Sequence, residues 1–171
     1  MKNKKIITIV LIIILLLLGA GIFFKIHSQK SIQENIYTTS CGQYAQGELK
    51  NGTSTITVDI ADTECKQVLG LSGRKSLVGG QGMLFVFNTI GNYGFWMKDM
   101  NFPLDIIWMD NDLQVVGIEK SLATSTYNDV NPAASQIFGS QYSAQYVLEV
   151  PADYANKNTL KVGDKMIFSD K

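Results

Sequence analysis

The chain has 171 residues, with 15 basic and 15 acidic side chains, one histidine and two cysteines. That length suits one domain, or one domain plus an anchor. So few His and Cys exclude a multi-ligand zinc site and a dense disulfide scaffold, and a hydrophobic content of 46% excludes a disordered chain.

Residues 6–24 carry no charge, and Thr8 is the one polar side chain among them. Nineteen residues of helix span roughly 28 Å, close to the apolar thickness of a bilayer. The run is apolar on every side and is followed by Ile22-Phe23-Phe24-Lys25 rather than by a small-residue cleavage site. An uncleaved transmembrane signal anchor is expected over 6–26. Lys2, Lys4 and Lys5 precede it, so residues 1–5 are expected in the cytoplasm and the rest of this single-pass chain outside the cell membrane. Without Lys2, Lys4, Lys5 and Lys25 the remainder has 11 basic against 15 acidic groups, a net charge of −4. That charge and the lack of a Lys/Arg cluster argue against a nucleic-acid partner.

Residues 27–52 are rich in Gln, Ser, Thr and Asn and read as a polar stalk before a domain at 53–171. Ile56, Val58 and Ile60 alternate with Thr55, Thr57 and Asp59, which predicts a half-buried strand. Asp62 or Thr63 can cap a helix running to about Leu69, and Gly70 can end it. Met83–Phe87 is a continuous apolar run, as in a strand buried on both faces. Leu104–Met109 and Leu113–Ile118 flank Asp110-Asn111-Asp112 and predict a hairpin. Tyr146–Val150 is another strand, Ala152–Asn158 can hold one or two helical turns, and Lys165–Phe168 is a last strand. The fold class is therefore mostly β (α+β). It is a small barrel- or sandwich-like domain of six to seven short strands and two short helices, preceded by one transmembrane helix. Residues 121–145 form a long polar insert, readable as a rim over a pocket or as a passive loop.

Each candidate for chemistry has a plainer reading beside it. Cys41 and Cys65 enclose 23 residues. Paired in an oxidising compartment they would stabilise the fold by roughly 3–4 kcal/mol; otherwise they are two unrelated thiols. A Cys or Ser nucleophile lacks a base, because His27 stands beside the anchor. Ser72 and Lys75 match a short S-x-x-K pattern with no partner boxes. Asp110-Asn111-Asp112 lacks the Gly and the further carboxylate of a calcium loop, and no metal or cofactor is expected. The richest segment is Phe95–Asp105. In an extended chain Trp96 and Lys98 point one way, Phe95 and Met97 the other. Asp105 opens an apolar strand, where a charge needs a partner such as Lys98 or Arg74. Arg74, Trp96, Lys98 and Asp105 are then either an internal ion pair with aromatic packing or the contacts of a polar ligand.

Several ordered motifs carry a resemblance. Gly70-Leu71-Ser72-Gly73-Arg74, Gly82-Met83-Leu84-Phe85-Val86-Phe87, Phe95-Trp96-Met97-Lys98-Asp99-Met100, Pro103-Leu104-Asp105-Ile106, Tyr146-Val147-Leu148-Glu149-Val150 and Val162-Gly163-Asp164 occur in turn. Over roughly residues 54–169 the chain resembles the prokaryotic family named domain of unknown function 192. The resemblance implies a compact, mostly-β fold and no established activity, so no catalytic residue is carried over. It departs from the family's pattern at Asp99, where Asn is usual, at Cys65, where Glu is common, and in the insert.

The expected function is that of a membrane-anchored extracytoplasmic binding module for a small polar or envelope-associated ligand. The alternatives are a structural or protein-interaction domain of the cell envelope and a hydrolase using Asp105, with Glu149, Asp99 or Lys98 as a second group.

Overall fold

A computed structural model describes residues 41–77 and 80–170. The expected anchor at 6–26 and most of the stalk lie outside the described residues. Among the described residues no helix is long and apolar enough to cross a membrane.

Tyr44–Lys171 forms one compact unit. Its strands are β1 (Ala45–Asn51), β2 (Ser54–Ala61), β3 (Gln81–Asn92), β4 (Leu104–Met109), β5 (Val115–Leu122), β6 (Ser143–Pro151) and β7 (Ile167–Asp170). Helix α1 (Glu64–Leu69) joins β2 to β3, and α2 (Tyr154–Lys157) follows β6. The mostly-β expectation holds, with seven strands in one sheet in the order β5-β4-β6-β3-β2-β1-β7. β2 and β3 pair in parallel through the α1 crossover, and the other pairs are antiparallel. The ends of the sheet also meet. Gln114 bridges Lys165, Val115 N–H donates to the Asp164 carbonyl at 2.8 Å, and Met166 N–H donates to the Leu113 carbonyl at 2.9 Å. Joining the outer strands in this way draws the sheet round towards a barrel.

Two apolar clusters occupy the two faces, sorted by strand parity. Leu104, Ile106 and Trp108 of β4 join Phe85, Phe95, Met97 and Val147 on one face. Ile107 and Met109 join Leu84, Leu148 and Val150 on the other. Every residue of β4 is therefore buried. Gly139 is required where Trp108 packs: its φ is 78°, and a Cβ there would run into the indole ring.

The local signals explain the short elements. The Thr63 side chain caps α1 by accepting from Lys66 N–H, and Gly70, at φ 50°, ends the helix. Asp110 Oδ1 accepts from the N–H groups of Asp112 and Gln114, both at 2.9 Å, and fixes the β4–β5 turn.

The sequence reading placed residues 45–51 in the stalk, but they form β1, paired with β2 and β7. This strand buries one large side chain, Leu49, together with Gly47, over which the Phe168 ring lies. A single apolar residue makes no periodicity.

Asp105 is fully buried, and neither Lys98 nor Arg74 is its partner. Oδ1 accepts from Ser121 N–H at 2.8 Å and Asp153 N–H at 3.1 Å, and Oδ2 accepts from Ala155 N–H at 2.8 Å. Ser121 and Asp153 both have positive φ, 53° and 71°. Such a backbone costs about 1–2 kcal/mol per non-Gly residue. Charge-assisted hydrogen bonds of about 1.5–3 kcal/mol each offset that cost. One carboxylate thus fixes the end of β5 and the β6–α2 turn to β4. Asp105→Ala is expected to lose about 3–5 kcal/mol in urea denaturation, and Asp105→Asn, which keeps one acceptor oxygen, about 2 kcal/mol. Losses below about 1 kcal/mol for both would remove this role.

Candidate functional site

The cluster beneath α1 contains one acid. Glu149 sits on β6 opposite Met83 of β3 and Ile106 of β4, on the same face as Val147. It is 5% exposed, and its Oε2 has no hydrogen-bond partner among the described residues. Burial pushes its carboxyl up to about 8, against the opposing pull of the Arg74 guanidinium.

A cleft of about 340 Å³ opens above Glu149. Glu64, Gln67 and Val68 of α1 line one side, with Leu71 and Ser72 just after it. Phe85 and Phe87 of β3 line another, and Tyr93, Phe95, Trp96, Lys98 and Met100 complete the wall. The wall is fixed by named contacts. Gln67 Nε2 donates to the Val86 carbonyl at 2.8 Å and ties α1 to β3. The Phe87 and Tyr93 rings stack at 3.6 Å, while Phe95 meets Phe85 edge-on at 4.9 Å. Trp108 Nε1 donates to the Tyr93 carbonyl at 2.9 Å.

Three bonds hold the turn after α1 to the segment carrying Lys98. Ser72 Oγ donates to the Lys98 carbonyl at 2.9 Å, Gly73 N–H to the Asp99 carbonyl at 2.8 Å, and Asn101 Nδ2 to the Arg74 carbonyl at 3.0 Å. Ser72 of the S-x-x-K pattern therefore has a turn-stitching bond. Asp99 has a φ of 53°, a conformation that Asn and Asp tolerate better than other side chains.

The alternation expected for Phe95–Lys98 holds: Phe95 and Met97 are buried, Trp96 and Lys98 exposed. Trp96 is half exposed at the rim. Of the four sequence candidates, Trp96 and Lys98 line the cleft and Asp105 does not. Arg74 acts on Glu149 through its charge, while its Nη1 donates to Asp59 Oδ2 at 2.8 Å and its guanidinium lies 5.5 Å from the Tyr44 ring centre. Glu149 was absent from the ligand-contact set. The available signal was its parity: in Tyr146–Val150 it is the one charge in an otherwise apolar or aromatic strand.

The insert holds two single-turn 3-10 helices, Thr124–Thr126 and Pro132–Ala134. Phe138 pairs with Phe95 through two backbone bonds of 2.9 Å, and the Tyr127 ring meets Trp96 at 6.0 Å. The insert therefore supports the rim residue, and none of its own residues lines the cleft. Neither Cys41 nor Cys65 is a free thiol.

Residues 47–168 match the profile of a family described as DUF192, Uncharacterized ACR. No curated protein matches the chain significantly. A crystal structure from Sinorhizobium meliloti 1021, provisionally described as a transcription regulator, is 24% identical. It covers 74% of this chain and 95% of its own, with a TM-score of 0.63, and shows the shared fold alone. A protein of unknown function from Novosphingobium aromaticivorans DSM 12444 is 27% identical, with 74% and 87% covered and a TM-score of 0.61.

The position of Glu149 has a pH signature. In the unfolded chain it ionises near 4.5, and in the folded protein near 8. Between these values the unfolded state binds fewer protons than the folded one. The stabilisation is therefore complete below about pH 4.5, declines as pH rises, and is lost once pH passes about 8. Glu149→Gln is expected to remove that decline from a series of urea denaturations run from about pH 4 to 9. A decline unchanged by the substitution would mean that another group causes it.

Proposed function

The chain belongs to the DUF192 family of uncharacterised proteins, and from that premise we propose that it is a membrane-tethered extracytoplasmic module that binds a small polar ligand. The observation that carries this reading is the unpartnered, buried Oε2 of Glu149 in an open cleft rimmed by Trp96 and Lys98. A carboxyl that only filled the interior would be expected to have its hydrogen bonds satisfied, as Asp105 has. The complete backbone engagement of Asp105 weighs against a hydrolase using that residue. A purely structural envelope domain leaves the Glu149 cleft without a use.

The tether rests on the uncharged run at 6–24 and the lysines before it. A disulfide between Cys41 and Cys65 belongs to the same reading, since an extracytoplasmic domain meets an oxidising environment.

Ligand-observed NMR of the full-length chain against a panel of small polar compounds tests the cleft. Binders are expected, and Trp96→Ala should weaken them about tenfold, equivalent to about 1.4 kcal/mol, without altering the fold. Binders insensitive to both Trp96→Ala and Glu149→Gln, or no binders, would count against the cleft. The tether is tested separately. The protein is expected to stay in membranes through an alkaline carbonate wash, and protease added outside intact cells should digest Tyr44–Lys171. Release into the wash or full protection would refute the placement.

A further inference from the structure

We propose that the cleft takes a small organic ammonium ion, with its charged head on the Glu149 carboxylate and its carbon skeleton against the aromatic wall. This rests on the reading of the cleft as a ligand site and adds the ligand's chemical class.

Glu149 Oε2 is an acceptor without a donor, in a place water hardly reaches. The nearby cation does not supply that donor: the ion pair of Arg74 is with Asp59 at 2.8 Å, and Glu149 Oε2 has no partner among the described residues. Asp105 is satisfied without a cation because it collects three backbone N–H donors; a small ligand head reaching Glu149 brings fewer, so positive charge must supply the rest. An ammonium head brings donor and charge, whereas a hydroxyl brings the donor alone. The wall is built from five aromatic residues, Phe85, Phe87, Tyr93, Phe95 and Trp96. Aromatic rings attract cations through their quadrupole, by about 0.5–2 kcal/mol per contact. Glu64 adds a negative charge at the lip, which disfavours an anion. Lys98 opposes a cation, but it is solvent-exposed, where salt screens its charge. At about 340 Å³ the cleft lies at the small end of ligand sites, which run from roughly 300 to 1,000 Å³.

Arg74 is the charge that acts on Glu149, and the other residues around it and the cleft can be named element by element. β3 and β4 place Met83 and Ile106 opposite it, with no charge. α1 contributes Glu64, and the turn after it Arg74, itself paired with Asp59 of β2. The 92–100 segment contributes Tyr93 and Lys98. No histidine lies among the described residues. Enclosed as it is, Glu149 holds its proton up to about pH 8. Ammonium binding ionises it: the O–H bond breaks, the proton leaves to solvent, and the carboxylate accepts an N–H of the ligand. Affinity therefore rises with pH until Glu149 is ionised without help.

The test uses n-butylammonium, with n-butanol as the uncharged analogue and N-acetylglucosamine as a hydroxyl-rich ligand, on the full-length chain in detergent micelles. Binding is read by saturation-transfer NMR and by the part of the tryptophan fluorescence that a Trp96→Phe variant lacks, since Trp108 also emits. n-Butylammonium is expected to bind, to gain about tenfold in affinity from pH 6 to 7, and to level off above about pH 8. Glu149→Gln should remove that pH dependence and weaken binding at least about tenfold. The pH series on the unaltered chain decides the matter even if that variant does not fold. If n-butanol or the sugar binds at Trp96 as well as n-butylammonium does, or if ammonium binding is flat with pH, the ammonium assignment falls and the cleft remains a ligand site. If none of the three perturbs Trp96, the ammonium assignment falls, and the wider compound panel decides the cleft.

Discussion

The Glu149 carboxyl is held out of water on β6, between Met83 of β3 and Ile106 of β4, and nothing among the described residues donates to its Oε2. That arrangement is costly, because a buried polar atom without a partner forfeits about 1–3 kcal/mol. The sheet can carry it because β6 is an interior strand, and Glu149 is paired on both sides, with Met83 and with Ile106. The rest of the site is what that fixed acid requires above it: a helix tied to β3 through Gln67, a wall of interlocked rings, and an opening where Trp96 stands half exposed.

Two carboxyls one strand apart have opposite situations. Asp105 pairs with Val150 in the ladder and Glu149 with Ile106, so parity sends them to opposite faces of the sheet. On its face Asp105 meets three backbone N–H groups, two from residues held at positive φ, and every oxygen is used. On the other face Glu149 meets aromatic rings and a cavity. The same functional group is a structural fastener in one environment and an unmet demand in the other. The difference lies in what the surrounding turns offer, since side-chain chemistry is nearly the same.

This contrast also explains what could be read from the chain beforehand. Alternation at Ile56–Ile60, the Thr63 cap, the Gly70 stop and the in-out order of Phe95–Lys98 are local signals, and the structure follows them. The partners of Asp105 were not legible, because they are backbone N–H groups 16, 48 and 50 residues away, and every residue type except proline has one. A buried charge needs compensation, and the sequence points to Lys98 or Arg74 for it; in the fold three backbone N–H groups supply it instead. β1 was hidden for another reason: its inward positions are Gly47 and Leu49, too little to register as a pattern.

Arg74 shows how the site's demand is preserved. It is close enough to Glu149 to draw down its proton affinity, yet its guanidinium donates to Asp59 at 2.8 Å and lies over the Tyr44 ring. Had Arg74 turned to Glu149 instead, the pair would have been ionised and satisfied, and the cleft would have had a saturated floor. Asp59, from the neighbouring β2 strand, takes that bond. It sits opposite Met83 in the β2–β3 ladder, just as Glu149 does in the β3–β6 ladder, so both acids flank the same β3 residue. Asp59 is partly open to solvent, while Glu149 is enclosed. The cation that acts on Glu149 is thereby held by a residue outside the cleft lining, and Oε2 of the acid is left without a donor among the described residues.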